Sequence, residues 1–140
     1  MNNLHTTPSI LFTLAWLLAA AVAPAAAADK STPAAIQHVD AAGGEKLLGE
    51  KKGTVVLDIR TAKEFAAGHI VAARNLDFYA TNFEKQLAEL DRTKTYLVHC
   101  ASGGRSGRSL EMFKKLKFES VYHLDGGFNA WQRAGKPVEK

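Results

Sequence analysis

The stretch Y-L-V-H-C-A-S-G-G-R-S-G-R-S-L, Tyr96 to Leu110, holds three signals in a row. Thr95 to His99 is a short β-branched and aromatic run, the pattern of a buried strand. Cys100 to Gly104 is a loop of small residues. Arg105 to Leu116 then places Leu110, Phe113 and Leu116 three apart, on one face of a helix. The chain outside this stretch alternates in the same way. Ile36–Val39, Thr54–Ile59 (T-V-V-L-D-I), Ala73–Leu76 and Ser120–Leu124 read as strands, and Ala41–Leu48, Thr61–Ala67, Asn82–Leu90 and Phe128–Ala134 as helices. Thr61 and Glu64 have capping-box spacing, with Gly68 at the stop position, whereas Gly43-Gly44 weakens the first helix. Runs that are apolar throughout, such as T-V-V-L-D-I, belong to strands covered on both faces. The expected fold class is therefore α/β, a mainly parallel central sheet flanked by helices. Such sheets bind ligands at the carboxyl ends of their strands, where Asp58, Cys100 and Asp125 fall.

The chain of 140 residues divides unevenly. Residues 1–28 contain no Lys, Arg, Asp or Glu, and an apolar run from Ile10 to Ala23 leads through Pro24 to Ala26-Ala27-Ala28. This reads as a signal peptide cleaved after Ala28, although Met1 to Ser9 lacks the basic residue usual in such leaders. The run is shorter than the ~20 apolar residues of a membrane span, so an uncleaved anchor is the weaker reading. With no cysteine near the cleavage site, a lipoprotein is not expected. Residues 29–34 form a flexible lead-in and residues 35–140 the folded domain. The expectation is an exported, periplasmic protein with no stable membrane association after cleavage. The net charge of +4 suits small anions. With no Lys/Arg block, nucleic acid is not an expected partner.

Cys100 is the single cysteine of the chain, so no intramolecular disulfide can form. A lone thiol in an oxidising compartment is either buried and inert or kept for reactivity. Its surroundings favour reactivity. Gly103 and Gly104 permit turns that side chains forbid. The loop N–H groups can converge into an anion nest, and the following helix N-terminus adds positive potential. A cysteine at that centre is expected to have a depressed pKa, and the thiolate is the nucleophile. His99 is not a suitable base, because strand neighbours point to opposite faces; it reads as a packing or edge residue. His69 and His123 stand isolated. No histidine has metal-ligand spacing with the cysteine, and no nucleotide-binding loop is present, so neither metal nor cofactor is expected.

The loop C-A-S-G-G-R-S, Cys100 to Ser106, resembles the active-site loop of the rhodanese family. L-D-I-R-T-A-K-E-F-A-A-G-H-I-V-A-A-R-N, Leu57 to Asn75, and L-D-G-G-F-N-A-W, Leu124 to Trp131, are similar to that family's other two signatures. One departure is Ala72, where the family often has glycine. The resemblance implies a sulfurtransferase in which Cys100 takes a sulfane sulfur from thiosulfate or a similar donor. The persulfide then passes that sulfur to cyanide or a thiol. It also implies that the backbone N–H groups of Ala101, Ser102, Gly103, Gly104 and Arg105 cradle the sulfur, that Arg105 helps bind the anion, and that Ser106 helps start the helix. Asp58, Arg60, Glu64, Gly126, Gly127 and Trp131 match family positions but read as structural. Two alternatives stand beside this one. Phosphatases of the same fold have five residues between cysteine and arginine, against four here, Ala101 to Gly104. A sulfur-carrier or binding module without catalysis is the other.

Overall fold

The computed structural model describes residues 35–140, so the leader and lead-in expected over residues 1–34 lie outside the described residues. The elements run β1 (Ala35–Val39), α1 (Ala41–Glu50), β2 (Val55–Asp58), α2 (Ala62–Ala67), β3 (His69–Ile70), β4 (Arg74–Asn75), α3 (Phe83–Ala88), β5 (Thr95–His99), α4 (Gly104–Lys115), β6 (Ser120–Leu124), α5 (Gly127–Arg133) and β7 (Val138–Glu139). Five strands form one sheet in the order β1-β6-β5-β2-β4, with every pairing parallel. β3 and β7 form a separate antiparallel pair. This is the expected α/β architecture. The β3–β7 pair was not expected, because two-residue strands are too short to carry a periodic signal.

Side-chain alternation along each strand builds two cores. Leu57, Tyr96, Val98, Cys100 and Val121 point to the face covered by α3 and α4, where Phe83, Leu87, Leu110 and Phe113 meet them. Val56, Leu97, Tyr122 and Leu124 point the other way, against Ala41 and Leu47 of α1 and Phe128 and Trp131 of α5. Helix α1 forms despite its glycine pair. Asp40 caps it by accepting from the Gly43 N–H at 2.8 Å. Gly44 lets it lie close to the sheet, since a Cβ there would stand 3.3 Å from both Leu124 and Trp131. Among the described residues no helix is long and apolar enough to cross a membrane.

Between β3 and β4 the chain turns through Ala72, which sits at φ 60. That is the left-handed region, where a Cβ crowds the following carbonyl. The turn keeps the glycine-like conformation, and the alanine bears the strain. Ala72 is exposed, so its methyl group offers little packing in return. Ala72→Gly is expected to stabilise the fold by about 1 kcal/mol, the relief of left-handed strain less the added entropy of the unfolded chain. Urea unfolding of both proteins, with an unchanged denaturant slope, checks this.

Candidate active site

β5 is flanked by β6 on one side and β2 on the other, so its carboxyl end opens at the middle of the sheet. Cys100 follows it directly, on the face that α4 covers. The loop from Ala101 to Gly103 returns over the sulfur, and α4 begins at Gly104. Two contacts from α5 hold that return in place. The Phe128 N–H donates to the Cys100 carbonyl at 2.8 Å and the Asn129 N–H to the Ala101 carbonyl at 2.9 Å. With these carbonyls directed at α5, the opposite side of the loop presents N–H groups to the sulfur. Gly127 is what allows the approach: at φ 56, a Cβ would lie 2.4 Å from the Cys100 carbonyl oxygen.

Cys100 is buried and its Sγ is held by dipoles. The Gly103 N–H donates to it at 3.1 Å, and Ser106 Oγ lies 3.5 Å away. Burial by itself pushes the thiol pKa up. Hydrogen bonds from the Ser106 hydroxyl and from the N–H groups of Ser106, Gly103 and Ser102 outweigh it, and the pKa ends below the 9.0 of an ordinary thiol. The cradle expected from Ala101 to Arg105 thus has its identified donors at Ser102 and Gly103, and it extends to Ser106. The two loop glycines differ in role. Gly103 stands at φ 102 and needs its freedom, whereas Gly104 is the first helical residue with open space where a Cβ would go.

Arg105 does not present a free charge. Its guanidinium donates to both carboxylate oxygens of Glu64, at 2.8 and 2.7 Å, and it lies over the Tyr79 ring. The pairing holds the Glu64 carboxyl at about 2, chiefly through the Arg105 hydrogen bonds and against a smaller effect of burial. Glu64 therefore has two tasks. It completes the capping box of α2, accepting from the Thr61 N–H at 2.9 Å, and it neutralises the arginine beside the loop. Only the first was readable from spacing; the second joins residues 41 positions apart.

The histidines also differ from expectation. His99 does face away from the sulfur, but β5 is an interior strand, so the residue is packed and not at an edge. Its Nδ1 lies 3.1 Å from the Cys100 carbonyl, its ring stacks with Phe128, and burial lowers its pKa against the pull of Asp58. His123 is not isolated. It points to the α4 face, with Nε2 2.8 Å from Ser106 Oγ and Nδ1 2.9 Å from Asp125 Oδ1. His38, its register partner on β1, reaches the same carboxylate oxygen at 2.8 Å. These three side chains are the one grouping among the described residues with the atom types of a metal site. Both imidazole Nδ1 atoms converge on the one Asp125 oxygen, and His123 Nε2 is engaged by Ser106. Strand alternation could have revealed His123, since Val121 and His123 share the face of Cys100.

The Asp58–Arg60 pair braces the neighbouring loop. Arg60 binds both carboxylate oxygens of buried Asp58 and donates to the Gly68 carbonyl at 2.8 Å, and its guanidinium lies 3.9 Å from the Phe128 ring centroid. A polar cleft of about 320 Å³ opens beside this brace, reaching Glu64, Ala101 and Asn129.

Residues 42–134 match the rhodanese-like domain family. Over 92 residues the chain is 41% identical to a thiosulfate sulfurtransferase GlpE of Pseudomonas putida, an alignment spanning 66% of this chain and 81% of that protein. A GlpE of Actinobacillus pleuropneumoniae is 32% identical over 94 residues, spanning 66% and 83%. Among solved structures, a rhodanese-related protein of Thermoplasma volcanium superposes with a TM-score of 0.65 at 28% identity, covering 74% of this chain and 97% of that one. A thiosulfate sulfurtransferase of Pseudomonas aeruginosa gives 0.63 at 29% identity, covering 78% of this chain and 20% of that larger one.

The unequal glycines generate an expectation. Gly103→Ala forces a side chain into a left-handed turn and should pull a donor off the sulfur, slowing alkylation of Cys100 at neutral pH by about tenfold, the effect of losing one hydrogen bond to a charged acceptor. Gly104→Ala should leave the rate within about twofold, since no strain or clash of the kinds that carry large effects is introduced. Iodoacetamide rates measured side by side separate the two.

Proposed function

The chain belongs to the rhodanese family of sulfurtransferases, and from that premise we propose that it moves a sulfane sulfur from thiosulfate, or a similar small anionic donor, to a thiol or cyanide acceptor through a persulfide on Cys100. The observation that carries this reading is the single sulfur enclosed by a tight loop whose N–H groups point at it. The Cys100 thiolate attacks the outer sulfur of thiosulfate. The S–S bond of the donor breaks and sulfite leaves with the electron pair. The acceptor then attacks the outer sulfur of the persulfide and restores the thiolate. The charge moves by one sulfur atom in each step, and donors fixed around Cys100 stabilise it without reorganising.

Four residues between Cys100 and Arg105 make the loop too tight for a tetrahedral phosphate, which argues against the phosphatase alternative. The retained thiol with its lowered pKa argues against a carrier that never reacts. Arg105 takes part in anion binding only in competition with Glu64. This sets the mouth of the site at near neutrality, although the chain as a whole is positive.

Purified protein given thiosulfate should gain one sulfur atom on Cys100 by intact mass, and cyanide should remove it as thiocyanate. Cys100→Ser should abolish both steps; persistent turnover in that variant would refute the mechanism. Glu64→Gln should lower the KM for thiosulfate by roughly two- to fivefold, the scale of a partly exposed ion pair. It should change stability by no more than ~1 kcal/mol, since a glutamine oxygen still accepts from the Thr61 N–H and only the partly exposed ion pair is lost. An unchanged or higher KM would show that the Arg105–Glu64 pair does not oppose the donor.

We also propose export, on the strength of the uncharged apolar leader and the Ala26-Ala27-Ala28 run. N-terminal sequencing of protein from the producing cell should begin at Asp29. A chain that still begins at Met1 in the cytosolic fraction would refute it.

A further inference from the structure

Behind the sulfur lies an unbroken file of polar side chains. Ser106 Oγ is 3.5 Å from Cys100 Sγ and 2.8 Å from His123 Nε2. His123 Nδ1 is 2.9 Å from Asp125 Oδ1. Ser106 is fully buried and His123 is 5% exposed, so water does not interrupt the file at its inner end. The hydroxyl, imidazole and carboxylate stand in the order and contacts of a serine–histidine–carboxylate triad. The serine, however, is sealed under the loop and faces only the cysteine, the Gly103 carbonyl and the histidine. It is placed to conduct a proton and has no room to attack a substrate.

We propose that Ser106 and His123, with Asp125 holding the ring, form a proton relay for Cys100, in which the proton of the thiol is taken up by His123 through the Ser106 hydroxyl. The proposal rests on the reading of Cys100 as a working thiolate and adds the group that ionises it. In the starting state the thiol donates to Ser106 Oγ, the hydroxyl donates to His123 Nε2, and His123 Nδ1–H donates to Asp125. Transfer breaks the S–H bond of Cys100 and the O–H bond of Ser106. It forms a new O–H on Ser106 and an N–H on His123 Nε2. The result is a thiolate and an imidazolium, with net charge conserved. In that state the two inner hydrogen bonds run the other way: Nε2–H donates to Oγ, and the hydroxyl donates to the sulfur, while Nδ1–H still donates to Asp125. The relay thus ends with the Ser106 donor aimed at the thiolate that the reaction requires. Ser106 touches the reacting sulfur; His123 acts through it and is a positioning residue.

Ionisable groups surround His123 on several sides. Asp125 lies next to it in the loop after β6, and its carboxyl is held below the usual range by hydrogen bonds from His38 and then His123, against a smaller effect of burial. His38, from β1, shares the Asp125 oxygen and approaches the His123 ring nitrogen at 3.3 Å. His99, on β5, is the other imidazole near His123, and burial disfavours the charged form of that ring. On the α4 side the only ionisable group in contact is Cys100, through Ser106. The Asp125 carboxylate on one side and a nascent thiolate on the other flank the ring that receives the proton in the proposed relay.

The test uses the full chain with its single cysteine and needs no sulfur donor, so it stands apart from the outcome for sulfur transfer. Nitrogen-15 NMR of the His123 ring at neutral pH should show an imidazolium in the wild type and a neutral ring in Cys100→Ser, because removing the thiol removes the charge that holds the proton. The pH midpoint of Cys100 alkylation should rise by about one unit in His123→Asn and in Ser106→Ala, the share of one hydrogen bond to a charged acceptor. The double variant should rise no further than either single, because the two residues act as one file. Ser106→Thr, which keeps the hydroxyl, should restore the midpoint. A His123 ring with the same charge in wild type and Cys100→Ser would overturn the relay, and so would additive shifts in the double variant. The NMR comparison remains decisive even if a Ser106 or His123 variant fails to fold.

Discussion

Two backbone hydrogen bonds, from Phe128 to the Cys100 carbonyl and from Asn129 to the Ala101 carbonyl, decide which way the loop after Cys100 faces. A peptide unit directs its N–H and C=O to opposite sides. Once α5 has claimed the carbonyls, the inward side of the loop is left with donors. The sulfur sits where those donors converge, and it is buried, so each of them acts with little competition from water. The left-handed Gly126 and Gly127 bring α5 close enough to make the contact. What reads in the sequence as a simple turn signature is therefore a part of the active site that never touches the reacting atom. The same helix presents Phe128 to Arg60 and to His99, so the Asp58–Arg60 brace and the catalytic loop are fastened to one element.

The site stabilises negative charge with dipoles more than with cations. Arg105, the full charge nearest the loop, is bound at both ends of its fork to Glu64. The donors at the sulfur are peptide N–H groups and one hydroxyl. Under the proposed sulfur transfer the difference matters, because the group on Cys100 would have to give its outer sulfur away. A strong cation beside the sulfur would bind thiosulfate, sulfite and persulfide alike, and tight product binding contributes nothing to turnover. Fixed dipoles at short range favour charge on the sulfur itself and fall off quickly with distance.

The sequence carried most strands of the sheet in plain form, though not their order. Thr95–His99 and Ser120–Leu124 are strands to the residue, because interior parallel strands are apolar throughout and end abruptly where the loops begin. Cys100 and its loop were readable for the same reason: a small-residue turn between a buried strand and a helix has few other uses. Less readable was whatever depends on pairing between distant residues. Glu64 declared its capping role to Thr61 three positions away and concealed its bond to Arg105. Gly44 looked like a weakness in a helix until Leu124 and Trp131 were seen against it. His123 looked solitary because its partners lie on β1, on α4 and beyond the end of β6. Ser106 read as a helix starter, and its hydroxyl instead faces the sulfur.

A lowered thiol pKa is useful only within limits. More thiolate is present as the pKa falls, but each thiolate becomes a weaker nucleophile, and the best compromise lies near the ambient pH. Burial and hydrogen bonding act on Cys100 in opposite directions, and hydrogen bonding prevails without the help of a free cation. Burial raises the energy of the thiolate, while the Ser106 hydroxyl and the loop donors lower it. In the proposed persulfide the charge would lie one sulfur further out than in the thiolate. A cradle of many weak donors can follow that shift better than one strong ion pair centred on the cysteine. This is a physical reason for the arginine next to the loop to be tied to a carboxylate and not to the sulfur.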